Sequence, residues 1–297
     1  MSKKPENLSG TFTALVTPFK SDGSVDYGAL EALVNDQLEN GIDGLVPCGT
    51  TGESATMTAQ ERQDVITFVV DKAAGRVPVV AGAGSNNTAV AIEHQKRALD
   101  TGAQYALVVT PYYNKPTPEG LYQHYCALLE AADIPIILYN VPGRTGCDML
   151  PETIGRLAKL DGVVAVKEAT ADLDRVAAIQ ELSGGNIALL SGDDGTACPF
   201  ALLGGDGVIS VVSNVLPKQT SDMMRAALSG EVESAREIHN SLRGLIDALF
   251  IESNPIPVKA ALALRGLISE NYRLPLCQMA TETRATLENI MRQDGWL

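Results

Sequence analysis

Lys167 ends an uninterrupted apolar run, Val163-Val164-Ala165-Val166, and is followed by Glu168 and Ala169. An amine partly withdrawn from water is, when neutral, a nucleophile toward a carbonyl carbon, so Lys167 is a candidate Schiff-base residue. The competing reading is a lysine that marks where a buried strand meets solvent. Other reactive side chains also follow apolar runs. Cys48-Gly49-Thr50-Thr51-Gly52-Glu53-Ser54 sets two hydroxyls between glycines, where backbone N–H groups and threonine oxygens can converge on a carboxylate or phosphate. The same string also suits a tight turn with a threonine cap. Thr110-Pro111-Tyr112-Tyr113-Asn114 and Leu138-Tyr139-Asn140-Val141-Pro142-Gly143-Arg144-Thr145 add phenols that can move protons. They also add an arginine in a Pro-Gly loop, suited to bidentate carboxylate recognition, although a surface ion pair is the commoner fate of arginine. Ser191-Gly192-Asp193-Asp194-Gly195 carries two acids, more readily explained as caps, and a glycine, Gly192, that leaves room for a ligand. Ile209, at the end of another run, is placed in the pocket wall. Glu168 points away from Lys167 in an extended chain and is assigned a structural role. Cys48 has no histidine in these motifs to activate it, which discounts a thiol nucleophile.

These motifs need elements that bring them together. The first apolar run, 13–19, reads as a strand stopped by Pro18. Asp26 then caps a helix with Leu30, Leu33, Val34 and Leu38 on one face, and Gly41 ends it. A strand at 44–47 follows, then a helix whose Thr58 and Glu61 form a capping box. Further strands fit 77–81, 105–109, 135–140, 163–167, 187–191 and 207–210. Helical patterns at 89–99, 121–131, 151–160, 173–182, 196–203 and 216–228 separate or close them. Strand alternating with helix, with strands apolar throughout, implies a parallel sheet covered on both faces. Eight such units favour a (β/α)8 TIM barrel, whose chemistry gathers at the C-terminal ends of the strands. After Ser229-Gly230 the rhythm becomes purely helical, so residues 1–228 form the barrel and 229–297 a helical appendage, on its own barrel or on a neighbouring subunit.

The chain has 297 residues and a net charge of -13, which argues against nucleic acid or an anionic membrane as partner. An anionic substrate must therefore be held by local donors. Five scattered cysteines suggest reduced thiols in a cytoplasmic protein. The three histidines, His94, His124 and His239, show no metal-binding spacing, so no metal site is expected. Residues 1–10 are polar and lack a signal core, and no apolar run is long enough to span a bilayer.

The motifs at Gly49–Glu53, Pro111–Asn114, Tyr139–Thr145, Val166–Ala169 and Gly192–Asp194 resemble those of the 4-hydroxy-tetrahydrodipicolinate synthase (dihydrodipicolinate synthase) family. That family lies in the pyruvate-dependent class I aldolase superfamily, with N-acetylneuraminate lyase. The resemblance covers nearly the whole chain, and Asn140-Val141-Pro142-Gly143-Arg144-Thr145 is its most specific part. It implies a lyase in which Lys167 forms an imine with pyruvate and Tyr139 relays protons through Thr50 to Tyr113, reaching in from a neighbouring subunit. It further implies that Thr50 and Thr51 hold the pyruvate carboxylate and that Arg144 holds that of L-aspartate 4-semialdehyde. Gly192 and Ile209 complete the substrate site. No metal or organic cofactor is implied, because the imine nitrogen is the electron sink. The product would feed lysine and diaminopimelate synthesis, and the assembly would be a homotetramer built as a dimer of dimers.

One departure concerns an effector cleft in which many relatives bind L-lysine. Ser54, Ala55, Asn86 and Tyr112 match it, but Val90 stands for a glutamate, and Ala59 and Arg62 stand for two histidines. Losing a carboxylate and gaining a cation disfavours a diamine, so weak or absent lysine inhibition is expected. The rival functions are another pyruvate-dependent aldolase with a different aldehyde, an idle homologue that binds small acids, and a phosphate-binding barrel using Gly204, Gly205 and Gly207.

Overall fold

From Gly10 to Leu228 the chain alternates strand and helix, and each strand lies beside the next in a closed ring. The computed structural model describes residues 4–297; the first three residues of the polar start lie outside the described residues. The strands are β1 (Gly10–Ala14), β2 (Gly44–Val46), β3 (Val80–Gly82), β4 (Tyr105–Val109), β5 (Ile136–Asn140), β6 (Val163–Glu168), β7 (Ala188–Ser191) and β8 (Gly207–Ser210). Around them run α1 (Tyr27–Glu39), α2 (Ala59–Ala73), α3 (Thr88–Asp100), α4 (Pro118–Ala131), α5 (Pro142–Thr145), α6 (Pro151–Leu157), α7 (Asp174–Ser183), α8 (Ala197–Leu202) and α9 (Pro217–Leu228). The sheet order is β2-β1-β8-β7-β6-β5-β4-β3, with every paired strand parallel. A parallel bridge between Leu45 and Val79, with the Gly82 N–H donating to the Pro47 carbonyl, joins β2 to β3 and closes the barrel. This is the expected (β/α)8 architecture.

Alternation along each strand sorts side chains between two cores. Phe12, Leu107, Ile137, Tyr139, Ala165, Leu190 and Ile209 point into the barrel. Their neighbours Leu138, Val166 and Leu189 face the helices, in a larger cluster with Leu30, Val69, Leu128 and Ile179. The interior is filled, not hollow. Phe12 lies opposite Gly44 in register, and a methyl at Gly44 would fall 2.2 Å from its ring.

Helix boundaries follow their caps. Asp26 accepts from the Ala29 N–H, and Thr58 with Glu61 forms the capping box expected for α2. Several boundaries differ from the sequence reading; helix α6, for one, ends at Leu157 and not at 160. The first strand is β1 at Gly10–Ala14, not 13–19: past Leu15 the backbone leaves the sheet, and the Val16 N–H goes to Asn214 Oδ1. Thr11 and Thr13, both buried, hide the start of the strand among polar residues. The third strand begins at Val80, because Pro78 has no N–H for the ladder and the Val79 N–H goes to Gln104 Oε1 (2.7 Å). Helix α4 begins at Pro118, where Thr117 accepts from the Gly120 N–H and proline occupies the first turn. Pro142–Thr145, read as a loop, is a single helical turn.

Beyond α9 come α10 (Val232–Leu249), α11 (Ile256–Leu264) and α12 (Thr281–Gln293). Leu245, Leu249, Val258, Leu262, Leu287 and Met291 share one core with Val16, Leu33, Val208 and Met224, so these helices pack on the barrel of their own chain.

Candidate active site

Strands β5 and β6 pair with Tyr139 opposite Lys167, and both side chains point inward. Lys167 is buried, with Nζ 4.4 Å from the centre of the Tyr139 ring. Gly192, just past β7, makes the space. A Cβ there would stand 2.9 Å from Lys167 Cε and 2.6 Å from Ala169 Cβ. The glycine is thus explained by the lysine's own stem. Ile209 is buried in the barrel interior with Leu190 and Tyr139.

Glu168 faces the other way, as its neighbour's inward direction requires. Its carboxylate accepts from Asn140 Nδ2 (3.1 Å) and the Thr170 N–H (2.9 Å), and Arg175 lies 3.6 Å away. Burial raises its pKa, against those hydrogen bonds and the guanidinium. Arg175 also clasps Asp148 and holds that carboxyl below its usual range. Asn140 ties the group together, donating to Asp148 as well (2.9 Å). The network fixes the ends of β5 and β6 and thereby the Tyr139–Lys167 pair. The acids after β7 likewise hold backbone. Asp193 accepts from the N–H and hydroxyl of Thr196, and buried Asp194 accepts from the Val211 N–H (2.9 Å) and the Ser210 hydroxyl.

The turn after β2 carries Thr50 and Thr51. Its Gly52 approaches the Cys48 and Leu15 backbones so closely that a Cβ would lie 3.0–3.1 Å from them. The Thr17 hydroxyl donates to the Gly52 carbonyl (2.7 Å). Residues far along the chain complete the turn's support. Asn254 Nδ2 donates to Thr51 Oγ1 (3.0 Å), and Lys259 is ion-paired with Glu53. Asn254 also accepts at its carbonyl from Arg144 Nη2 (3.1 Å).

A cavity of about 530 Å³ opens here, lined by Thr50, Tyr112, Val141, Arg144 and Asn254 among others. A smaller hollow of about 50 Å³ leads from Thr50 to Tyr139. Thr50 borders both, Arg144 the larger and Tyr139 the smaller, and Lys167 lies beside the Tyr139 ring. Tyr113 is not brought in. It projects into solvent, 88% exposed, with φ of 74°. Cys48 borders the small hollow, but burial pushes its thiol pKa up to about 12, which removes it as a nucleophile. Gly204 and Gly205 precede β8, at the opposite end of the barrel, and Gly207 is needed because a Cβ would strike the Gly10 backbone. The phosphate-site reading of these glycines falls with that placement.

Most of the residues expected to match an effector cleft border the larger cavity as well. Ser54, Ala55, Arg62, Val90 and Tyr112 line it, while Asn86 Nδ2 donates to the Tyr112 carbonyl (3.1 Å). Ala59 borders a small recess beside Arg62. Arg62 is buried, donates to the Gly82 carbonyl (2.7 Å), and contacts His94. Burial, then the adjacent guanidinium, holds the His94 pKa down near 4. His94, Asn254 and Lys259 were not singled out from sequence. A lone lysine in the otherwise apolar Ile256–Leu264 was a usable signal, since a buried amine needs an acid.

Among the described residues no cluster of three or more His, Cys, Asp or Glu side chains is placed to hold a metal, and no helix is long and apolar enough to cross a membrane. Comparison with known proteins agrees with the motifs. The model of the dihydrodipicolinate synthetase family matches residues 7–294. The 4-hydroxy-tetrahydrodipicolinate synthase of Methylococcus capsulatus is 54% identical over 98% of this chain and 100% of its own. The chloride-inhibited dihydrodipicolinate synthase of Acinetobacter baumannii, solved with pyruvate, superposes with a TM-score of 0.96 at 46% identity, over 98% of this chain and 100% of that one. The enzyme from Cyanidioschyzon merolae with lysine bound gives 0.95 at 42% identity, over 99% and 100%. On these matches, across nearly its full length, the chain belongs to the dihydrodipicolinate synthetase family.

Proposed function

We infer that this protein is a 4-hydroxy-tetrahydrodipicolinate synthase, a lyase that condenses pyruvate with L-aspartate 4-semialdehyde in lysine and diaminopimelate synthesis. Lys167 Nζ attacks the ketone carbon of pyruvate, and loss of water leaves an imine. The imine nitrogen draws electrons from the methyl group, whose proton leaves to give an enamine. The enamine carbon adds to the aldehyde. The amino group of the second substrate then attacks the former ketone carbon and releases Lys167 as the ring closes. Tyr139 carries the protons, relayed through Thr50 to Tyr113 of the partner subunit. Thr50 and Thr51 hold the pyruvate carboxylate, and Arg144 holds that of the semialdehyde. Gly192 and Ile209 shape the floor.

The observation that carries the reading is Lys167 Nζ, buried and 4.4 Å from the Tyr139 ring, at the end of the barrel where Thr50 and Arg144 border the cavity. The exposure of Tyr113 supports a neighbouring copy as its destination, and so at least a dimer; the family resemblance extends this to a homotetramer arranged as a dimer of dimers. The barrel, residues 1–228, supplies the chemistry, and residues 229–297 brace its rim. Its five thiols are unpaired, in keeping with a cytoplasmic enzyme. A coupled assay with pyruvate and L-aspartate 4-semialdehyde tests the function: turnover with both supports it, and none with the semialdehyde refutes it. Lysine titrated into that assay leaves the rate nearly unchanged, because Val90 and Arg62 offer its amines no acceptor.

A further inference from the structure

Glu53 and Lys259 form an ion pair with neither side chain exposed to water. Such a pair is an expensive way to hold two elements together, and apolar residues of similar volume commonly serve stability as well or better. Its neighbours in α11, Val258, Ala260, Ala261 and Leu262, are apolar and buried, so the helix does not need a charge to pack. The location of the acid is informative. Glu53 sits two residues after Thr51, with φ of 54°, a left-handed conformation that costs a residue with a side chain and persists only where surroundings enforce it. The enforcing contacts are visible. Lys259 takes one carboxylate oxygen and the Arg273 N–H approaches the other (3.3 Å), while the Glu53 N–H donates to the Thr50 carbonyl (3.1 Å). The ammonium also lies over Phe19 and Tyr272, 4.5 and 5.1 Å from their ring centres.

A second link reaches the same turn. Asn254 Nδ2 donates to Thr51 Oγ1. A hydroxyl has one hydrogen to give, and accepting from Asn254 leaves that hydrogen for another acceptor.

We propose that Glu53 and Lys259 are positioning residues for the keto acid: the buried pair locks the Thr50–Glu53 turn against α11, so that Thr51, oriented by Asn254, presents its hydroxyl hydrogen to the substrate carboxylate. This rests on the reading that Thr50 and Thr51 hold that carboxylate. The helical region after the barrel is then part of the binding machinery for pyruvate, acting through the turn.

The test replaces both charges together, Glu53→Met with Lys259→Met, which leaves no charge unpaired. Cooperative unfolding is retained, the KM for pyruvate rises roughly tenfold to a hundredfold, and the KM for the semialdehyde moves far less. Borohydride trapping of the pyruvate adduct needs correspondingly more pyruvate to saturate. A folded double variant with the parent pyruvate KM overturns the proposal, as do two KM values that rise together. Should the double variant not fold, Lys259→Arg keeps the charge but moves it; a several-fold rise in pyruvate KM is expected, and no rise overturns the proposal. Thr51→Val separates the two levels. If it leaves the pyruvate KM unchanged, the reading of the turn fails and the proposal with it. If it raises that KM while the double variant does not, the proposal alone fails.

Discussion

At the scale of single residues, the site depends on what Lys167 is allowed to touch. Gly192 is confined by the lysine stem, and a methyl there would stand 2.9 Å from Cε. Gly192→Ala therefore displaces the amine from its place beside Tyr139. A misplacement near 1 Å costs about a hundredfold in rate, so imine formation should slow by about that much. Stopped-flow measurement of adduct formation, alongside a melting curve, checks this; an unchanged rate would mean the lysine has slack that the geometry denies. Lys167 and Tyr139 were legible in the sequence because each interrupts an apolar run with a functional group. The outward role of Glu168 followed from alternation alone. Asn254 was not legible, and Lys259 announced only the need for an acid, not which one. They serve residues some two hundred positions earlier, and no local pattern announces a partner that distant. Gly192 was read as room for a ligand, whereas the space goes first to the lysine.

At the scale of elements, α2 depends on a residue from the far end of the chain. Glu61 closes the capping box at its start and also receives Arg273, whose guanidinium, followed by hydrogen bonds from Thr58, holds its pKa down to about 2. The folded value lies below the ordinary 4.5, so the stabilisation is present above about 4.5 and lost as pH falls toward 2. Glu61→Gln should lower the melting midpoint at neutral pH, and the deficit should shrink as the pH is brought down through that window. A deficit that stays constant with pH would assign the effect to lost packing. The capping box was legible because Thr58 and Glu61 stand three apart before an apolar stripe. Strand β1 was misplaced because its ladder runs through Thr11 and Thr13, whose hydroxyls are buried among partners that sequence does not reveal: Thr13 bonds Gln37 and Ser213. The turn α5 escaped notice because one helical turn has no periodicity to read.

For the whole molecule, the eight-fold repetition was legible because each unit carries the same sign, an apolar run and then an amphipathic helix. Assembly entered only through the family resemblance, since nothing in periodicity says which surface another copy will cover. Tyr113 is 88% exposed on the isolated chain yet is needed, in the proposed relay, inside a neighbour's site. Specific activity should therefore fall on dilution as the dimer dissociates, and Tyr113→Phe should lower kcat without changing pyruvate binding. Activity independent of concentration in a preparation shown to be monomeric would remove Tyr113 from the relay. The net charge of -13 also gives a keto acid no long-range attraction, which leaves capture to Thr50, Thr51 and Arg144.

The most direct measurement is the intact mass after incubation with pyruvate and borohydride, followed by peptide mapping. The account predicts one reduced pyruvate adduct per chain, on Lys167, absent from Lys167→Ala. An unmodified mass, or an adduct on another lysine, would contradict it.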